Sequence, residues 1–113
     1  KIPYYIYLKD EPIFSMAGIY DTWLDKVTGE EHTTFSIITT DTNPLTDYIH
    51  NTKHRMPAIL SPENEEKWLN ADLSKTDISS LLKPYDADLM DAYVIQNDFL
   101  KKVATDESIL QRA

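Results

Sequence analysis

Apolar and polar positions alternate in short runs early in the chain and give way to helical spacing further on. Residues 4–8 and 13–20 are rich in β-branched and aromatic side chains, with the polar Lys9-Asp10-Glu11-Pro12 between them. That pattern predicts strand, turn and strand. Gly18 inside the second run marks a bulge or a close backbone approach. Turn chemistry around Gly29 leads into residues 33–39, where Phe35 and Ile37 alternate with polar neighbours. A third, half-buried strand is predicted there.

Asn43-Pro44 reads as a helix start. The Asn side chain can accept from an orphan amide, and Pro tolerates a first helical position that needs no amide hydrogen bond. The helix runs to about His50. Residues 57–60, Pro-Ala-Ile-Leu, form a short apolar strand, and Ser61-Pro62-Glu63 repeats the cap, Pro and acid order ahead of a second helix carrying Trp68. Ser74-Lys75-Thr76-Asp77 resembles a capping box, and Ile78, Leu81 and Leu82 give a third helix its apolar face before Pro84. Residues 92–95 are predicted as a last strand, and the tail from Thr105 as a terminal helix or a frayed end. Strands and helices in mixed order make the class α+β.

Composition narrows the picture. With 113 residues, 42% of them hydrophobic, the chain suffices for one modest core, so one domain or part of one is expected. It has no low-complexity stretch and no apolar run long enough to span a bilayer, which argues for a soluble protein that does not partner a membrane. No cysteine occurs, which rules out a disulfide framework and fits a reducing cytoplasm, but equally fits a fragment cut from a larger protein. A net charge of −8 argues against a self-sufficient nucleic-acid binder, because neutralising phosphates takes clustered Lys and Arg. Only residues 50–55, His-Asn-Thr-Lys-His-Arg, concentrate potential cations.

Candidate chemistry follows from residue type. His32, His50 and His54 are the three side chains suited to proton transfer near neutrality. His50 ends a predicted helix, where the dipole favours the imidazolium, and precedes Lys53 and Arg55, which oppose it. A capping or solvated histidine is the plainer alternative. Arg55, before a buried strand, is placed to clamp a phosphate or carboxylate, or else to form a structural ion pair. Asp21 lies between Tyr20 and Trp23, where aromatic neighbours can desolvate a carboxylate; a turn residue is the alternative. Gly-rich phosphate loops, Cys/His metal spacings and serine nucleophile elbows are missing, so neither a cofactor nor a metal is expected.

Three ordered segments go further: Ala17-Gly18-Ile19-Tyr20-Asp21-Thr22-Trp23, then Phe35-Ser36-Ile37-Ile38-Thr39-Thr40, then Ile49-His50 leading into Arg55-Met56-Pro57-Ala58-Ile59-Leu60. Together they resemble the successive motifs of the SOS response-associated peptidase (SRAP) family, and the likeness spans nearly the whole chain. It implies that residues 1–113 are the carboxy-terminal portion of a single SRAP-like domain, an α+β fold with a bent, partly barrel-like mixed sheet flanked by short helices.

The resemblance also implies a function. Family members bind single-stranded DNA and link an amino-terminal cysteine to the ring-opened aldehyde of an abasic site as a thiazolidine. Autoproteolytic removal of the initiator methionine gives the peptidase name, and lyase activity is a further expectation. By motif position Asp21 takes the carboxylate place, His50 the histidine place and Arg55 the phosphate-positioning place, with Thr39 and Thr40 lining the pocket. The chain departs from the family in three respects. The cysteine and the strands after it are missing, Asp stands where Glu is usual, and the spacer after His50 is longer, which leaves His54 as a substitute. The alternative class is a catalytically inert binding module. On either reading the isolated chain should bind DNA weakly and self-associate through sheet surface left uncovered.

Overall fold

The computed structural model describes residues 1–50 and 52–113. Among the described residues eight strands and three α-helices follow in order: β1 (Tyr4–Leu8), β2 (Ser15–Met16), β3 (Gly18–Leu24), β4 (Glu31–Ile37), β5 (Thr39–Asp41), α1 (Pro44–His50), β6 (Arg55–Pro57), β7 (Ile59–Leu60), α2 (Pro62–Trp68), α3 (Lys75–Leu81) and β8 (Met90–Val94). They fall into two compact units, Lys1–Ile13 with Asp86–Ala113, and Phe14–Tyr85.

In the first unit β1 pairs antiparallel with β8, from Tyr4 opposite Val94 to Leu8 opposite Met90. The strand predicted at 13–20 is therefore not the partner of β1, although only a short turn separates them. Aromatic packing favours the distant partner: Tyr5 lies across from Tyr93 with ring centroids 5.3 Å apart, and Tyr7 stands 6.0 Å from the same ring. The tail closes over this face. The Arg112 guanidinium sits 4.3 Å above the Tyr93 ring, and the Ala113 amide donates to the Val94 carbonyl at 2.9 Å. The tail forms a short 3₁₀ turn, Glu107–Leu110, rather than an α-helix.

The second unit turns on three corners. The strands predicted at 13–20, 33–39 and 57–60 are each bent at a single residue, Ala17, Ile38 and Ala58, and each arm takes a different partner. β3 pairs with β4, β5 with β6, and β7 with β2. The corner residues hold one another: the Ile38 amide donates to the Ala17 carbonyl at 2.9 Å, Ala58 to Ile38 at 2.9 Å, and Ala17 to Ala58 at 2.8 Å. A closed ring of three backbone hydrogen bonds thus replaces the ladder where the strands part. Ala17 and Ala58 are fully buried, and Leu60, Ile38, Trp68 and Leu82 pack around them. Side chains larger than Ala at positions 17 and 58 would overpack these two corners. The close approach expected at Gly18 is present, since a Cβ there would stand 3.1 Å from the Ser36 carbonyl oxygen. Trp68 fastens α2 to the same point by donating its indole N–H to the Gly18 carbonyl at 3.1 Å.

The helix starts follow the sequence signals. Asn43 accepts the Thr46 amide at 2.9 Å through its side chain, and Ser74 with Asp77 completes the capping box. The fold is α+β, and the expected bent, partly barrel-like mixed sheet takes the form of four two-stranded ladders. All are antiparallel, and among the described residues they do not close into a barrel.

Candidate functional site

The β5–β6 ladder sorts its residues by alternation. Thr39, Asp41, Arg55 and Pro57 share one face, and Thr40 opposite Met56 shares the other. Met56 is buried to 1% exposure beneath α1, where the Thr46 hydroxyl reaches its sulfur. Thr40 is also buried and donates its hydroxyl to the Leu82 carbonyl at 3.1 Å. Of the two threonines expected to line a pocket, Thr40 is therefore turned to the core and Thr39 to solvent.

Arg55 stands on the outer face with its fork held from two sides. Nη1 donates to Asp41 Oδ1 at 3.1 Å, Nη2 to the Thr39 carbonyl at 2.8 Å and to Thr39 Oγ1 at 3.2 Å, and Nε to the same hydroxyl at 3.3 Å. The Arg55 and Asp41 side chains remain 50% and 86% exposed. An ion pair this open contributes little stability. Its consequence is orientation: a planar guanidinium set in one direction with half its surface free is suited to an incoming oxyanion.

The stretch from α1 to β6 carries the imidazoles. His50 closes α1 with its side chain exposed, and its carbonyl accepts the Thr52 hydroxyl at 3.1 Å. Asn51, part of the basic stretch, lies outside the described residues. His54 has a φ of 51°, in the left-handed region that a residue with a Cβ seldom occupies. Its Nδ1 is hydrogen-bonded to Asp47 Oδ1, and Asp47 in turn accepts the Thr42 hydroxyl at 3.1 Å. The His54 hydrogen bond, followed by that of Thr42, holds the Asp47 carboxyl below the ordinary Asp range. In the neutral ring this arrangement places the proton on Nδ1 and leaves the Nε2 lone pair free.

Asp21 sits in the middle of β3, opposite Thr34, and not after the strand as the sequence pattern suggests. It is exposed, and its carboxylate accepts the Thr22 amide at 2.8 Å. The aromatic shielding anticipated for it is not formed, because alternation turns Tyr20 to the opposite face and Trp23 stacks on His32 at 4.8 Å.

Two hydrogen-bonded sets are thus assembled, Arg55 with Thr39 and Asp41, and His54 with Asp47 and Thr42. Among the described residues no hydrogen bond or ion pair joins Asp21 or His50 to either set, or to each other. Asp21 is connected to the Arg55 set only through the backbone: the strand containing Thr34, which pairs with Asp21, runs through the Ile38 corner into Thr39. Sequence reasoning missed Asp41, Asp47 and Thr42. Asp41 was legible in principle, since a strand two residues beyond Thr39 places it on the same face. The pairing of Asp47 with His54 spans a helix end and a turn, for which spacing carries no signal. Among the described residues no three His, Cys, Asp or Glu are grouped to hold a metal, and no helix is long and apolar enough to cross a membrane.

An exposed arginine fork and an imidazole backed by a carboxylate, carried on antiparallel ladders and short helices, define an α+β protein with an exposed polar surface. The chain belongs to the SOS response associated peptidase (SRAP) family, whose model matches residues 1–102. It is 45% identical over 98 residues to "Abasic site processing protein YoqW" of Bacillus subtilis (strain 168), covering 86% of this chain and 42% of that protein. It is 39% identical over 74 residues to "Abasic site processing protein HMCES" of Gallus gallus, covering 64% of this chain and 21% of that one. A crystal structure of a Bacteroides thetaiotaomicron protein superposes with a TM-score of 0.95 at 78% identity, over 99% of this chain and 48% of that one. The chain therefore spans less than half the length of these relatives.

Proposed function

We propose that this chain is part of a cytoplasmic protein that processes abasic sites in single-stranded DNA, and that it supplies polar groups to a site whose nucleophile lies outside these residues. The observation that carries the reading is family membership together with relatives named for abasic site processing. The chain contains no cysteine, so the crosslinking thiol belongs to another segment of the domain.

In the proposed chemistry the cysteine amine condenses with the aldehyde of the opened sugar, releasing water, and the thiol adds to the resulting imine to close a thiazolidine. Proton traffic accompanies both additions. Asp21 and His50 are assigned to that traffic at the sugar oxygen. Arg55, its fork set by Thr39 and Asp41, positions a backbone phosphate. The peptidase step is removal of the initiator methionine, which frees the cysteine amine, and lyase activity is a later turnover of the same adduct. His54 takes a supporting place, its ring direction fixed by Asp47.

The test uses a full-length hybrid in which this chain replaces the matching part of the Bacteroides thetaiotaomicron relative, starting Met-Cys. Incubated with an abasic single-stranded oligonucleotide, it should form an adduct stable on a denaturing gel. His50→Ala should slow adduct formation by the roughly 10²- to 10⁴-fold that lost acid–base catalysis costs. A hybrid that binds the oligonucleotide without ever linking to it would establish the inert binding module instead.

A further inference from the structure

The β3–β4 ribbon is the part of the second unit that the fold leaves uncovered. Cross-strand partners share a face and neighbours alternate, so the register sorts its side chains into two sets. One face carries Tyr20 opposite Phe35, Ile37 opposite Gly18, Leu24 opposite Glu31, and the hydrogen-bonded Thr22 and Thr33. The other carries Asp21 opposite Thr34, Ile19 opposite Ser36, and Trp23 stacked on His32. The first face is mainly apolar and open to water: Tyr20 is 78% exposed, Phe35 77%, Leu24 56% and Ile37 49%. Among the described residues β3 and β4 pair only with each other, so both outer edges also offer unpaired backbone groups.

We infer that the Tyr20, Phe35, Leu24 and Ile37 face is a docking surface for the part of the SRAP domain that lies outside these 113 residues. A two-stranded ribbon with both faces in water is marginally stable by itself, and contiguous exposed apolar surface marks a place where polypeptide packs. The relatives supply the candidate. This chain covers 48% of the Bacteroides thetaiotaomicron chain and 42% of YoqW, so more than half of each lies outside the match. A second copy of this chain fits less well, because each copy brings a net charge of −8 to the contact. Covering the apolar face leaves the Asp21 face as the open side of the ribbon. That last consequence rests on the proposed function, whereas the docking itself needs only the family.

Tyrosine nitration reads the surface directly, with Tyr48 on α1, 73% exposed, as the internal reference. In the 113-residue chain Tyr20 and Tyr48 should react at comparable rates. In the full-length hybrid Tyr20 should lose most of its reactivity while Tyr48 keeps its own. A Tyr20 that stays as reactive as Tyr48 in the hybrid overturns the inference, and so does protection that appears in the short chain only as its concentration drives dimerisation. A second measurement does not depend on labelling. Tyr20→Lys with Phe35→Lys should lower the melting temperature of the hybrid far more than that of the short chain, and equal shifts in both would contradict the docking. Adduct formation by a hybrid whose Tyr20 remains reactive removes this inference alone, while a protected Tyr20 without adduct removes the functional reading alone.

Discussion

The β3–β4 ribbon and the β5–β6 ladder share one strand, bent at Ile38, yet they live in different surroundings. On the β5–β6 side Thr40 and Met56 are buried under α1 and the end of α3. On the β3–β4 side the alternating Phe35 and Ile37 stand in water. The sequence pattern is similar on both sides of the corner, so alternation states which residues share a face and not whether anything covers it. Covering is decided by tertiary packing, which α1 and the end of α3 supply to the β5–β6 arm.

The comparison is broken most strongly by truncating one apolar side chain on each side. Met56→Ala should destabilise the chain by about 2–5 kcal/mol, the range for a large-to-small change in a packed core. Phe35→Ala, at a site 77% exposed, should stay within about 0.5 kcal/mol. Urea unfolding of the two variants checks both values. Comparable losses would mean that the ribbon is packed in the 113-residue chain.

A smaller effect separates the two sides by pH. Asp47, beside β6, has its carboxyl lowered by His54 and Thr42. A lowered folded pKa contributes stability that is complete above the unfolded Asp value of about 3.9 and is lost as pH falls through the folded value. Asp47→Asn should flatten the acid limb of the stability–pH curve. No corresponding change is expected from Thr34→Val on the ribbon. An acid limb unaltered by Asp47→Asn would place the His54 contact outside the energetics of the fold.

A similarly small change in stability is expected at Arg55. Its exposed pair with Asp41 belongs to a class worth about 0–1 kcal/mol, so Arg55→Ala should barely move the unfolding midpoint. In the full-length hybrid the same change should reduce the salt slope of DNA binding by about one, the signature of one lost phosphate contact. An unchanged slope would return Arg55 to a purely structural role.

Much of the fold was legible where local chemistry decides. Asn43-Pro44 and the Ser74 to Asp77 box start helices as their side chains dictate, and Tyr4–Leu8 is a strand as its aromatic and β-branched content predicts. What pairs with what was not legible. The partner of β1 lies at the far end of the chain because Tyr93 supplies the aromatic match, and no local pattern encodes that distance. The corners at Ala17, Ile38 and Ala58 also escape a reading by period, since a residue whose amide and carbonyl serve two different strands looks like any other strand position. At the site, Arg55 was legible as a residue entering a strand. Asp21 was misplaced because Tyr20 and Trp23 were taken as one shield around it, when alternation divides them between faces.

On the proposed function Asp21, on the open face of the ribbon, manages a proton during capture of an abasic site. The rate of adduct formation between the full-length hybrid and an abasic oligonucleotide tests it most directly when Asp21→Asn and Asp21→Glu are compared. A loss of roughly 10²- to 10⁴-fold is expected for Asp21→Asn, the usual contribution of a positioned acid or base, with most of the rate restored by Asp21→Glu. An Asp21→Asn hybrid that forms the adduct at the unaltered rate would contradict it.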